Sequence, residues 1–414
     1  MKASRLLYVF ALVAIVLASC APAATVAPAA TQPPAPTAKP AGAPAACATD
    51  AFGCAKIPAG QTVRIGMGGP MTGDNAAFGI DISQGGLIAI KDGGDVQGWK
   101  FELDAQDDGG SAEGGAAVAN KFVADPTVVA IAGHIFSGAT AAAIPIYEKA
   151  GLPMLSPSAT NPALTQTGSK VFNRIPFTDA IQAKFSADYM AKKLGFTKIA
   201  ILHDGSAYGK GLAELVQTNF AAEGTVASFD AINTGESDYT AILSKVASNK
   251  PQALFFGGYT GDAVVLANQM GQSGLQGVVF FGCDGTYGAD FITRAGKNAE
   301  GAYAVTLEPP ESSANTAFKA AYKAAYGKDA GSLSPYTWNG YDVVAALISV
   351  IKTVAIKGDD GNLYVPRGAL VAAVRGLKNY QGLSGTFTCD ATGECNSSGP
   401  LYVVVKDGKW VPAP

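Results

Sequence analysis

From residue 62 onward the chain alternates short, unbroken apolar runs with longer Ala-rich segments of helical spacing. The runs VRIGMGG (from 63), KFELDAQDD (from 100), VVAIAGH (from 128), PMLSPSA (from 153), KIAILHD (from 198), ALFFGGY (from 253) and VVFFGCDG (from 278) read as strands. Strands without a polar face have to be covered on both sides, as in parallel sheets. Helical segments lie between them at 113–123, 179–194, 208–222 and 237–248, and Pro251 stops the last of these. Such alternation predicts an α/β protein with doubly wound sheets. So many strands before residue 300, with a further group after it, exceed one sheet, so the pattern predicts two lobes. The first ends near VFNRIPFTDA (171–180), where a strand hands over to a new helix. The tail PLYVVVKDGKWVP (400–412) alternates and turns at Asp407-Gly408, predicting a late hairpin. No internal sequence repeat is visible.

The first residues break this pattern. Lys2 and Arg5 precede an apolar stretch at 6–17, too short to span a bilayer but suited to a signal peptide. It runs into LASC (17–20), which resembles a bacterial lipobox, so residues 1–19 are expected to be a lipoprotein signal peptide and Cys20 the site of lipid attachment. An ordinary secretory signal followed by a chance cysteine is the alternative. The Ala, Pro and Thr residues of 21–46 cannot bury a core. At about 3.1 Å per residue such a segment reaches roughly 80 Å, which suits a tether over 20–61.

Composition narrows the function. A net charge of −3 and an isoelectric point near 5.5 supply no phosphate-neutralising surface, which argues against nucleic acid. Two histidines and no CxxC spacing argue against a zinc site, and no metal or cofactor is expected. Cys47 with Cys54, and Cys389 with Cys395, are candidate disulfides closing short loops; Cys283 reads as a buried free thiol.

In open α/β sheets ligands bind beyond the carboxyl ends of the strands. Polar, Gly-rich stretches follow the strands here: GGPMTGD, QDDGGS, GHIFSGAT, SPSAT, HDGSAYG, GGYTGD and GCDGTYG. GHIFSGAT sets His134 three residues before Ser137, a spacing that invites a catalytic reading. That reading needs an orienting carboxylate behind the histidine, and the local sequence supplies none. GxSxG, P-loop and HExxH motifs are absent, and GMGG lacks the dinucleotide fingerprint. Asp107 and Asp108 alternate across a strand and read as turn and cap residues. His203 reads as structural. The chain is not expected to be an enzyme.

The ordered set of strand ends, with DDGGSAEGGAAVANKFVAD, AILHDGSAYGKGLAE and FFGGYTGDAVVLANQM, resembles the branched-chain amino-acid-binding proteins of bacterial ABC transporters over 62–412. The resemblance implies the type I periplasmic binding protein fold, two doubly wound lobes with parallel central sheets joined by a three-crossover hinge. Lobe I would combine 62–178 with 308–398, and lobe II 179–307 with 399–414. It implies that Ser137, Ser158 and Thr160, with Ala159 between them, hold a ligand α-carboxylate, a Ser158 carbonyl also taking the α-ammonium. Ser137 and Thr160 follow strands, where a helix start offers free N–H groups; plain N-caps are the bland reading. Tyr208 and Tyr259 would close over the ligand from lobe II, or else pack its core. Asp284 would pair with the α-ammonium, where the family often has Glu, implying a tighter or shifted ammonium site. Phe78, Ile135 and Phe136 would shape the side-chain pocket; Phe136 stands where well-known members carry a disulfide. Trp338 and Tyr341 would complete the wall or pack the core.

The implied protein is an extracytoplasmic, lipid-anchored monomer that captures a small neutral, Leu/Ile/Val-like amino acid. It would deliver this to ABC permease subunits. The alternatives are a binder of another small solute (amide, urea or aromatic acid) or a ligand-sensing ectodomain.

Overall fold

The computed structural model describes residues 42–414. The expected signal peptide, Cys20 and most of the tether lie outside the described residues. Residues 42–61, read as tether, belong to the fold: a short helix Ala45–Thr49 leads to the strand Cys54–Ile57, which pairs antiparallel with Leu363–Pro366. A disulfide joins Cys47 to Cys54 and another joins Cys389 to Cys395, while Cys283 is a buried free thiol.

Two lobes are built on two sheets. The first sheet runs Asp95–Val96, Trp99–Asp107, Val63–Gly69, Val128–Ile131, Met154–Ser156, Phe172–Arg174, parallel throughout except at the two-residue edge. The second runs Lys409–Pro412, Leu401–Lys406, Tyr303–Thr306, Val279–Phe281, Ala253–Gly257, Lys198–His203, Thr225–Ala231. Its first five strands in chain order are parallel, and the C-terminal hairpin adds two antiparallel strands beside Tyr303–Thr306. Asp407 and Gly408, both at positive φ, make the hairpin turn where the sequence places it.

Numbered along the chain from Val63 and from Lys198, both parallel sheets have the order 2-1-3-4-5. Such a sheet reverses its winding between strands one and three, which opens a crevice at their carboxyl ends. The architecture therefore repeats even though the sequence does not.

Val63–Gly69, Val128–Ile131 and Ala253–Gly257 are buried almost throughout, because helices cover both faces of their sheets. The helix Ala76–Asp92 lies along Thr337–Val354, a helix from far down the chain. Glycines allow this approach: a Cβ on Gly85 would sit 2.3 Å from the Thr337 carbonyl oxygen, and one on Gly340 would sit 2.2 Å from that of Ile82. Two of the parallel strands in these sheets have no counterpart among the sequence-predicted runs. Thr225–Ala231 is a half-buried edge strand, and Tyr303–Thr306 is four residues long. No helix among the described residues is long and apolar enough to cross a membrane.

Candidate functional site

Six strand ends, three from each sheet, converge on one cleft. From the first sheet come Phe78, Ile135, Phe136, Ser137 and Ser158; from the second come Tyr208, Tyr259, Asp284 and Gly285; Tyr336 joins them. The space left among these side chains is about 10 Å³. That holds about one water, far below the few hundred Å³ of a small-molecule pocket. A larger cavity of about 370 Å³ lies between the Asp74-Asn75 turn and Gly235, Glu236, Asp262 and Arg294. It is open, and Asp74 and Arg294 line it as an ion pair at 3.0 Å, so it lacks the convergent buried groups of the first.

His134 and Ser137 do not form a catalytic pair. His134 is fully buried; its Nδ1 lies 2.7 Å from Asp108 Oδ2 and its Nε2 3.0 Å from the Tyr147 hydroxyl. An orienting carboxylate therefore exists, contrary to the local reading of the sequence, but it comes from the Asp107-Asp108 turn. The other ring nitrogen meets a phenol rather than a nucleophile. Asp107 faces the opposite way and accepts the Met71 N–H at 2.9 Å. His134 acts as scaffolding: its carbonyl accepts the Ser156 hydroxyl at 2.7 Å and so ties two strand ends together.

The first-lobe half of the site is made of backbone and hydroxyl groups. Ser137 is the first residue of the helix Ser137–Ala150, and its Oγ accepts the Asn161 N–H at 3.3 Å. Ser158 Oγ donates to the Ile135 carbonyl at 2.8 Å, and the Ala159 N–H donates to Ser156 Oγ at 3.0 Å. Thr160 precedes only a three-residue turn, Pro162–Leu164, so the expected helix start at Thr160 is not there. Its carbonyl instead accepts the Asp179 N–H at 3.0 Å, and its buried hydroxyl has no partner. Ala159 and Thr160 are fully buried and do not line the small space. The Phe136 ring fits over Gly110, where a Cβ would come within 2.6 Å of it.

The second-lobe half centres on one carboxylate. Asp284 is 3% exposed. Its Oδ1 accepts from Gln182 Nε2 at 2.7 Å and from the Tyr208 hydroxyl, and its Oδ2 accepts the Tyr336 hydroxyl at 2.7 Å. Burial pushes the carboxyl above its ordinary range, while these three donors pull it back. Burial, reinforced by nearby carboxylates, holds the phenols of Tyr208, Tyr259 and Tyr336 well above theirs, so they stay neutral donors. Aromatic rings bridge the halves: Phe136 stacks on Tyr259 with centroids 3.8 Å apart, and Phe78 stands edge-on to Phe136 at 5.8 Å.

Three contributors lie outside the candidates read from sequence. Gln182 and Tyr336 reach Asp284 from elements 102 and 52 residues away. Asp179 opens the helix Asp179–Asp188, one turn before Gln182 on the same face. It is fully buried and neither carboxylate oxygen has a hydrogen-bond partner. Burial, and then the charge of Asp284, push it well above the ordinary carboxylate range, against the weaker opposing pull of the nearby Thr160 hydroxyl and Arg174 charge. Trp338 and Tyr341 take the core reading instead: Trp338 packs on Phe318, and the Tyr341 hydroxyl meets Asp92 at 3.2 Å. Among the described residues no cluster of His, Cys, Asp and Glu could hold a metal ion.

The family described as "Periplasmic binding protein" matches residues 62–409. A Leu/Ile/Val-binding protein homologue of Brucella melitensis is 29% identical over 84% of this chain and 93% of its own length. A leucine-specific-binding protein of Salmonella typhimurium is 32% identical over 70% of this chain and 78% of that relative. Among solved structures, a leucine binding protein of Thermotoga maritima superposes with a TM-score of 0.76 at 27% identity, covering 85% of this chain and 98% of that one. The branched-chain amino acid transporter substrate binding protein of Streptococcus pneumoniae, solved with isoleucine, gives 0.74 at 26% identity over 84% and 98%.

Proposed function

The chain belongs to the periplasmic binding protein family, and from that premise we propose that it is an extracytoplasmic solute-binding lipoprotein of an ABC importer. It captures a branched-chain or similar neutral amino acid and presents it to the permease, with no catalytic step. The observation that carries this reading is Asp284, a buried carboxylate surrounded by neutral donors, facing hydroxyl and N–H groups at the opposite strand ends. A zwitterion has one pole for each side. Its carboxylate fits Ser137, at a helix start, and the Ser158–Thr160 turn. Its ammonium fits Asp284, with the buried Asp179 carboxyl close enough to feel the same charge. Phe78, Ile135, Phe136 and Tyr259 offer an apolar wall for the side chain.

The Phe136–Tyr259 stack has to part to admit such a ligand, so binding involves opening and closing of the lobes. The proposed hinge lies at the crossovers near 178, 307 and 398. Ligand favours the closed form because only there are both poles satisfied together. Cys20 is the proposed lipid anchor.

Calorimetry and thermal-shift measurements on the mature protein test the proposal. Leucine, isoleucine or valine at about 100 times Kd adds roughly 2.7 kcal/mol of stability. 4-Methylpentanoate, which lacks the amine, and isopentylamine, which lacks the carboxylate, are expected to add almost nothing. Silence with every neutral amino acid would sink the proposal, and a response to the deaminated acid alone would turn it toward the aromatic-acid reading.

A further inference from the structure

The turn 156–161 is held in place from behind. Arg174, at the end of the last strand of the first sheet, is fully buried. Its Nη1 donates to the carbonyls of Ala159 at 3.1 Å and Asn161 at 2.6 Å. The other side of the guanidinium forks onto Glu394, with Nε to Oε2 at 2.9 Å and Nη2 to Oε1. A buried guanidinium is costly unless paired, so Glu394 determines where Arg174 can sit. Glu394 also accepts the Thr165 hydroxyl at 2.7 Å.

Glu394 comes from a distant part of the chain and is kept in place by the Cys389–Cys395 loop. Inside that loop Asp390 caps the turn, accepting the N–H groups of Thr392 at 2.8 Å, Gly393 at 3.0 Å and Glu394 at 3.1 Å. The loop is stitched to the strand end: Arg174 N–H donates to the Gly393 carbonyl and Cys395 N–H to the Arg174 carbonyl, both at 2.9 Å. Arg375 adds a second tie, from Nη1 to the Ala391 carbonyl at 2.6 Å and from Nη2 to the Phe172 carbonyl at 2.7 Å.

We propose that the Cys389–Cys395 loop is a positioning device for the ligand site. The disulfide holds Glu394, Glu394 holds Arg174, and Arg174 fixes the carbonyls on either side of Thr160, which sets the path of the turn that carries Ser158 to the cleft. Glu394 and Arg174 are positioning residues and touch no ligand. The inference rests on the proposed role of the turn as the carboxylate-binding element. The other disulfide, Cys47–Cys54, closes a loop at the far end of the described chain and serves as the control.

The test uses C389S/C395S, Glu394→Gln and C47S/C54S in the otherwise intact protein. Amide hydrogen exchange is read without ligand across 156–161, at a temperature where each variant is folded. C389S/C395S and Glu394→Gln are expected to speed exchange there about tenfold, while C47S/C54S leaves it unchanged. Calorimetry with leucine is expected to show Kd weakened about fivefold or more in the first two variants alone. Unchanged exchange across 156–161 overturns the proposal, and so does faster exchange with unchanged Kd, which would leave the loop a purely structural brace. If C389S/C395S does not fold, Glu394→Gln, which keeps the disulfide, decides. If the wild-type protein binds no amino acid, exchange still decides the brace, and the failure belongs to the functional reading.

Discussion

The two lobes reach the cleft from equivalent places with opposite chemistry. After strand one, each turns into a helix whose first turn carries an aromatic residue, Phe78 in one lobe and Tyr208 in the other. After strand three, the residue just before the helix is Phe136 or Tyr259, and these two rings stack on each other. After strand four come the Ser158–Thr160 turn and Asp284. Topology thus delivers the same three positions twice, and side-chain identity makes one half donate and the other accept. The donor half is held by bonds between hydroxyl and backbone groups of neighbouring strand ends, 22–24 residues apart, with Arg174 and Glu394 behind them. The acceptor half is one charge held by three side chains from three elements. Function concentrated in one charge should be fragile, and function spread over several dipoles should be robust.

The largest expected effect comes from the acceptor half. In Asp284→Asn the ammonium loses its charged partner, at a cost of roughly 2–5 kcal/mol of binding. Calorimetry with leucine should read this as a loss of about thirtyfold to several thousandfold. Unchanged affinity would remove Asp284 from the site. Asp179→Asn should be the next largest and act in two directions. Without ligand, the unpartnered buried carboxylate opposes folding, so the variant should unfold at higher denaturant, by about 1–3 kcal/mol near neutral pH. With ligand, it should bind more weakly.

The pH dependence of that difference has a definite sign. Burial and the neighbouring Asp284 charge hold the folded-state pKa of Asp179 well above the ordinary carboxylate value of the unfolded chain. Between those two values the native state holds more protons than the unfolded chain, so its contribution to stability declines as pH rises through the window. Wild type and Asp179→Asn should therefore be similar in acid and diverge as pH rises toward neutral. Reading the difference removes the opposite trend from carboxylates held low, such as Asp107 and Asp125. Parallel curves would show that Asp179 is partnered in solution.

The donor half was the more legible in sequence, for the same reason that it is robust. Ile135, Phe136, Ser137 and Ser158 follow strands whose apolar runs are unmistakable, and local chain direction alone brings them to the cleft. Tyr208, Tyr259 and Asp284 also follow strand ends, and it is the family resemblance that singles out these individual residues in both halves. Gln182 and Tyr336 were not singled out, because each reaches Asp284 only through tertiary convergence. Tyr336 stands just before a helix, and its neighbours Trp338 and Tyr341 look equally suited but pack on Phe318, outside the cleft lining. Asp179 reads in sequence as an acid favouring a helix N-terminus; its complete burial follows from packing between the lobes. The repeat itself is hidden because only the isolated aromatic positions Phe78/Tyr208 and Phe136/Tyr259 recur, while Ser158–Thr160 and Asp284 carry opposite chemistry at the equivalent strand end.

The smallest expected effect is Ser137→Ala, and it tests the robust side of the comparison. The hydroxyl accepts one long bond from Asn161 and would offer one donor to a carboxylate. Its removal leaves the helix-start N–H groups and the Ser158–Thr160 turn in place, so the loss should be that of a single hydrogen bond, about 1 kcal/mol. Leucine affinity should fall about fivefold, with stability nearly unchanged. A loss as large as that of Asp284→Asn would mean that the donor half also hangs on one group. The contrast between a distributed and a concentrated pole would then fail, although the shared topology would stand.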